Sequence, residues 1–216
     1  MKKGLLLVLL ISVIAIATVV FVKTNSEAGI SDNPSLIVQQ SHKVVPNFTF
    51  EMAQKETFTN KNLLNHWTLF FIGYTYCPDV CPTTLADLDR VYPELSKPPY
   101  NNIQVVFVSV DPNRDKANNL AEYVNYFNAN FIGTTSTHDQ LFPFAQDLGL
   151  VYSIVEAGDS DDEYYFVDHS ASLVLVNPDG EHQATFKAVR NEQGIAHVDM
   201  DLMVEDIHKM IQPRDK

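Results

Sequence analysis

Cysteine is scarce in this chain of 216 residues: there are only two, Cys77 and Cys81. Neither lies near the N-terminal apolar run, which excludes a lipoprotein anchor there. Eight glycines and eleven prolines are too few for a collagen-like or low-complexity chain. Basic residues are short as well. Fifteen Lys and Arg stand against 27 Asp and Glu, a formal net charge of −12. No Lys/Arg cluster interrupts that acidity, so no nucleic-acid partner is expected, and the acidic groups read as a solvated surface. No internal repeat is visible. What is plentiful is apolar surface. A hydrophobic fraction of 45% rules out intrinsic disorder, and the length predicts one domain or at most two small ones.

The longest apolar run is residues 4–22, preceded by Lys2 and Lys3 and followed by Lys23. A bilayer core takes ~20 such residues as a helix, and the lysine bias puts the N-terminus in the cytoplasm. Residues 1–23 are therefore expected to be a single-pass membrane anchor. A cleaved signal peptide would carry a shorter apolar region of about 7–15 residues, although Ser26-Glu27-Ala28 weakly resembles a cleavage site. The segment lacks the arginines and serines of a mitochondrial transit peptide. The expected location is the bacterial inner membrane, with the soluble part in the periplasm. Residues 24–44 show little periodicity and read as a tether. The globular domain is expected over 45–214.

Within that domain, residues 47–52 alternate weakly as a short strand. Residues 68–76 and 103–110 are nearly continuous apolar runs, the pattern of strands buried on both faces. A helix is expected over 82–92, ended by Pro93, and a second over 117–127. A short helix over 143–148 should close at Gly149. Residues 172–176 and 183–188 flank Asp179-Gly180 as an antiparallel hairpin. Met200, Met203, Val204, Ile207, Met210 and Ile211 mark one apolar face of a final helix, so the methionines read as core. Strand–helix–strand–helix, then hairpin and helix, is an α/β layout that matches a thioredoxin-like fold.

The chemistry centres on Tyr76-Cys77-Pro78-Asp79-Val80-Cys81-Pro82, directly past a buried strand. Active sites of open α/β sheets lie at the carboxyl ends of strands. A proline follows each cysteine and disfavours αR before it, so both are expected in an irregular loop with Pro82 as the first helical residue. A helix N-terminus stabilises a thiolate. A structural disulfide is the bland reading, but so short a loop gains little from a cross-link. His169 is the candidate third donor. The strand 172–176 should run antiparallel to 68–76, which brings its start, and His169 just before it, beside the Cys loop. His42, His66, His138, His182, His197 and His208 have no such argument and read as surface residues. Two thiolates and one imidazole suit copper or zinc, and zinc held by two Cys, one His and water is left open by the residues alone. Asp79 and Asp168 could support the ligands from behind. Asp111 and Arg114 read as structural, a cap or a local ion pair.

Three segments, 70–85 (FFIGYTYCPDVCPTTL), 107–115 (FVSVDPNRD) and 164–180 (YYFVDHSASLVLVNPDG), together resemble the Sco/SenC family of membrane-anchored copper chaperones. The resemblance covers nearly the whole exported domain. It implies a thioredoxin-like fold and copper, as Cu(I) or Cu(II), bound by Cys77, Cys81 and His169. It also implies delivery to the binuclear copper A centre of cytochrome c oxidase, with that subunit as partner, together with a copper donor and a thiol reductant. A turnover enzyme is not expected. The alternative is a thiol–disulfide oxidoreductase that keeps oxidase-subunit cysteines reduced, against which the extra residue over C-x-x-C counts. A peroxidase of the same fold is a third reading. The acidic stretch 156–163 reads as a solvated loop.

Overall fold

The computed structural model describes residues 33–211 apart from 101, 157–164 and 191–193. The expected membrane anchor and most of the acidic stretch lie outside the described residues. Among the described residues no helix is long and apolar enough to cross a membrane.

The elements are β1 (Leu36–Val44), β2 (Thr49–Glu51), β3 (Thr57–Thr59), β4 (Trp67–Gly73), α1 (Val80–Ser96), β5 (Ile103–Ser109), α2 (Ala117–Phe127), β6 (Ile132–Thr135) and α3 (His138–Asp147). They continue with β7 (Tyr152–Glu156), β8 (Tyr165–His169), β9 (Leu173–Val176), β10 (Glu181–Phe186), β11 (Val189–Arg190), β12 (Ala196–His197) and α4 (Met200–Ile211). Eight strands form one sheet in the order β1-β10-β9-β4-β5-β6-β2-β3. β4, β5 and β6 are parallel, and β9 runs antiparallel to β4. This is the thioredoxin-type α/β arrangement that the element order predicts. β7 and β8 pair only with each other.

The apolar runs of β4 and β5 explain the two layers. Side chains alternate between sheet faces. Leu69, Phe71, Val105 and Phe107 pack with Leu85, Leu88, Leu120, Val124, Met203 and Ile207. Phe70, Ile72, Val106 and Val108 pack on the opposite side with Phe50, Phe58, Leu141 and Phe144. There the Phe144 ring meets Phe48, Phe50 and Phe70 at 5.1, 4.8 and 5.2 Å, all edge-on. The methionines Met200 and Met203 are buried core residues, as their spacing predicts.

Four expectations are corrected. From Leu36 the supposed tether is strand: β1 pairs with β10, with Leu36 opposite Phe186 and Val44 opposite Glu181, and Leu36 packs against the core. The compact unit accordingly starts at Pro34. Second, α1 passes through Pro93 to Ser96. The proline forfeits the bond its amide would give the Asp89 carbonyl, but Leu95 beyond it is fully buried and Ser96 Oγ donates to the Tyr92 carbonyl at 2.8 Å, which hold the last turn. Third, α3 begins at His138 and carries Pro143 inside; Gly149 follows it at φ +70°, the left-handed stop. Fourth, His182 is not a surface residue. It is buried, and its Nε2 meets Thr185 Oγ1 at 2.9 Å.

Candidate metal centre

Cys77 lies in the loop that leaves β4, and its amide donates to the Tyr74 carbonyl at 3.3 Å. The helix then starts earlier than expected, at Val80, with Asp79 as its N-cap. Cys81 is therefore a first-turn helical residue rather than a loop residue. Pro82 is tolerated beside it because first-turn amides have no intrahelical acceptor. β9 pairs with β4 in the register Phe71↔Leu173 and Thr68↔Val176. That antiparallel register brings the chain just before β9 to the end of β4, and His169 with it.

The three side chains meet. The Cys77 and Cys81 sulfurs and a ring nitrogen of His169 all lie within 4.8 Å of one another. Cys81 Sγ and His169 Nε2 are 3.3 Å apart. His169 Nδ1 sits 3.1 Å from the Ser170 carbonyl oxygen. A carbonyl can only accept, so Nδ1 carries a proton, and in the neutral ring Nε2 presents its lone pair to the sulfurs. This fixes the tautomer a metal needs. The supporting group is thus a backbone carbonyl and not a carboxylate. Asp168 points away because neighbours on a strand face opposite sides, and it is exposed, as is Asp79.

The two thiols are unequal. Cys81 is fully buried and Cys77 half-buried, and both are free. A hydrogen bond from Cys81, helped by the backbone amides of Asp79 and Cys81, outweighs burial and holds the Cys77 thiol down at about 4. Burial, then the neighbouring Cys77 charge, pushes Cys81 well above the ordinary range. The metal-free site therefore carries one thiolate and one thiol at neutral pH. A metal cation that takes both sulfurs must displace the Cys81 proton.

Two further features hold this geometry. Gly73 ends β4 beneath Cys81, and a Cβ there would fall 2.5 Å from Cys81 Sγ and 2.8 Å from the Phe107 ring. Only glycine lets the sulfur rest against the strand. Asp115 ties the Cys loop to the end of β5. It accepts from Thr75 N at 2.9 Å, from Thr75 Oγ1 at 2.5 Å and from Ser109 Oγ at 2.6 Å. Burial nevertheless raises its carboxyl. The Tyr74 ring stands edge-on to His169 at 5.9 Å and 88°. Gly73, Tyr74 and Asp115 were not singled out by the sequence reading. The signals were a glycine and a tyrosine at the end of a buried strand and an aspartate just past the next.

Chemically this is a soft donor set of two sulfurs and one imidazole, half-open on the Cys77 side. It suits Cu(I), which accepts three soft ligands, whereas zinc would need a water as its fourth donor.

The SCO1/SenC family model matches residues 38–203. A putative copper-binding protein of Stutzerimonas stutzeri is 31% identical over 167 residues, covering 77% of this chain and 80% of the relative. The human mitochondrial SCO1 homolog is 35% identical over 135 residues, 62% of this chain but only 44% of its own length. The crystal structure of Arabidopsis thaliana ScoI with copper bound superposes with a TM-score of 0.64 at 28% identity, covering 77% of this chain and 99% of that one.

Proposed function

The chain belongs to the SCO1/SenC family, and on that premise we propose that it is a copper metallochaperone whose cargo is held by Cys77, Cys81 and His169. The observation that carries this reading is the convergence of two sulfurs and a lone-pair nitrogen within 4.8 Å at the carboxyl end of β4. The family resemblance extends the proposal to the binuclear copper A subunit of cytochrome c oxidase as recipient, with a copper donor and a thiol reductant upstream. Only reduced thiols can take the metal, and an oxidising compartment makes that reductant necessary. The apolar run 4–22 with its flanking lysines supports a single-pass anchor in a bacterial inner membrane, the metal centre facing the periplasm.

The test is a Cu(I) titration of the reduced full chain against a competing chelator, without oxygen. One equivalent should bind tightly in the wild type and weaken by orders of magnitude in His169→Ala. Binding that is absent, or no better than in Cys77→Ser/Cys81→Ser, would end the proposal.

One observation favours a second reading. An acidic, half-exposed thiolate at Cys77 backed by a buried thiol at Cys81 is also a competent attacking and resolving pair for disulfide reduction. That activity would survive His169→Ala, whereas copper binding would not.

A further inference from the structure

The hairpin β7–β8 is a separate two-stranded sheet, so among the described residues no backbone ladder fixes it to the main sheet. His169 is the last residue of that hairpin. Where its imidazole sits relative to the sulfurs therefore depends on the short link to β9, on Val167 buried in the core, and on the further side chains that fasten the hairpin. One fastening lies on the α3 side. The Tyr152 ring stacks on Phe142 at 4.3 Å, and its hydroxyl meets His138 Nδ1 at 3.0 Å.

Another lies against the Cys loop and is built on one guanidinium. Arg114 Cζ is 3.7 Å from the centroid of the Tyr165 ring, 4.9 Å from that of Tyr76 and 5.6 Å from that of Tyr74. Arg114 Nη1 donates to the Tyr165 carbonyl oxygen at 3.0 Å, and Nε donates to Asp111 Oδ2 at 2.5 Å. The Tyr165 hydroxyl donates to Asp111 Oδ1, also at 2.5 Å, which closes a ring of three residues. Tyr165 opens the strand that ends in His169, and Tyr76 immediately precedes Cys77. The same cation thus touches both segments that supply metal donors, and Asp111, with its side chain 1% exposed, roots it at the end of β5. Exposed ion pairs contribute little, but removing the cation here would strand a buried carboxylate and release three aromatic rings.

We propose that Arg114 is a positioning residue for the metal centre, a clamp that sets the distance between the His169 hairpin and the Cys77 loop. Its copper readout rests on the function proposed above; its geometry does not. If Arg114 were only a staple of the β5–α2 connection, losing it would lower stability without regard to His169.

A double-mutant cycle separates the two. Cu(I) affinity is measured on the full chain as wild type, Arg114→Gln, His169→Ala and the double variant, with thermal unfolding as the check of folding. The clamp predicts a loss of about 10–100-fold for Arg114→Gln, the usual effect of removing a group that orients a ligand, and no further loss when it is added to His169→Ala. Equal losses in both backgrounds, or none in either, would overturn it. Arg114→Lys keeps the charge without the planar fork and should lose nearly as much; it carries the cycle if Arg114→Gln does not fold. A metal-free arm uses the chain labelled at histidine. The His169 ring signals should be single and sharp in the wild type and broadened or split in the Arg114 variants; unchanged signals would overturn the clamp. If the wild type bound no copper, the chaperone reading alone would fail, and the ring signals would still decide for or against Arg114.

Discussion

Cys77 and Cys81 belong to one short segment, yet their surroundings drive their thiols in opposite directions. The consequence is measurable by alkylation. A thiolate reacts and a thiol does not, so iodoacetamide should label Cys77 at a nearly constant rate from pH 8 down to pH ~5.5, falling off only toward its value of about 4. Cys81 should stay unlabelled until the fold opens. A Cys77 rate that climbs through pH 8 to 9 would contradict the depressed value. The stability linkage follows the same signs. Cys77 titrates near 9.0 when unfolded and about 4 when folded, so its contribution is complete above pH 9.0 and is lost as pH falls toward 4. Cys81 is raised, so its contribution is complete below pH 9.0 and is lost as pH rises through its higher value. At this scale the ligands were legible in the sequence because two residue types and one strand pairing define them. Their supports were not. The glycine at the end of β4 was a weak signal whose reason, the Cys81 sulfur and the Phe107 ring against it, shows only in the fold, and the Arg114 stack on Tyr165 joins segments far apart in the sequence.

Among the elements, the hairpin β7–β8 differs from the rest. The central strands β4, β5 and β9 are paired on both edges and buried on both faces, whereas the hairpin leaves Ile154, Val155 and Phe166 exposed. Local opening should therefore come at a lower free energy there than in the main sheet. Hydrogen exchange on the reduced chain should find the β7–β8 amides exchanging before those of β4 and β9. Cu(I) at 100 times its dissociation constant should slow them by up to about 100-fold, because opening must then release the metal from His169. In His169→Ala the slowing should vanish. Slowing that persists without the imidazole would show that the metal does not join the hairpin to the Cys loop. The hairpin's place could not be foreseen from period-2 patterning, since residues 152–156 and 165–169 alternate poorly and a short segment pairs with whatever edge is near. The β9–β10 hairpin was legible because Asp179-Gly180 fixes its turn, with Gly180 at φ +79°. The prolines misled in the opposite way. Pro93 signals a helix stop and Pro143 a helix start, yet α1 runs on through Pro93 to buried Leu95, and α3 is already under way from His138, with Leu141 buried ahead of Pro143.

In the molecule as a whole, loading and stability are linked, since the three donors come from the β4–α1 loop, the first turn of α1 and the end of β8. A metal that needs all three binds only the folded chain. At 100 times the dissociation constant this contributes ~2.7 kcal/mol, which in a unit of this size raises Tm by about 5–11 °C. Calorimetry of the reduced chain with and without Cu(I) should show that rise, and Cys77→Ser/Cys81→Ser should abolish it. A loaded chain that melts with the empty one would mean the metal is held elsewhere. The same architecture bears on how cargo leaves. Cys81 is sealed against the carboxyl end of β4 at Gly73, while Cys77 and His169 are half-exposed. An incoming donor from a recipient meets those two first, so their bonds exchange before the inner sulfur lets go. Unloading then has a direction: the outer ligands are traded one at a time while Cys81 keeps the ion from escaping into solvent, and it detaches last.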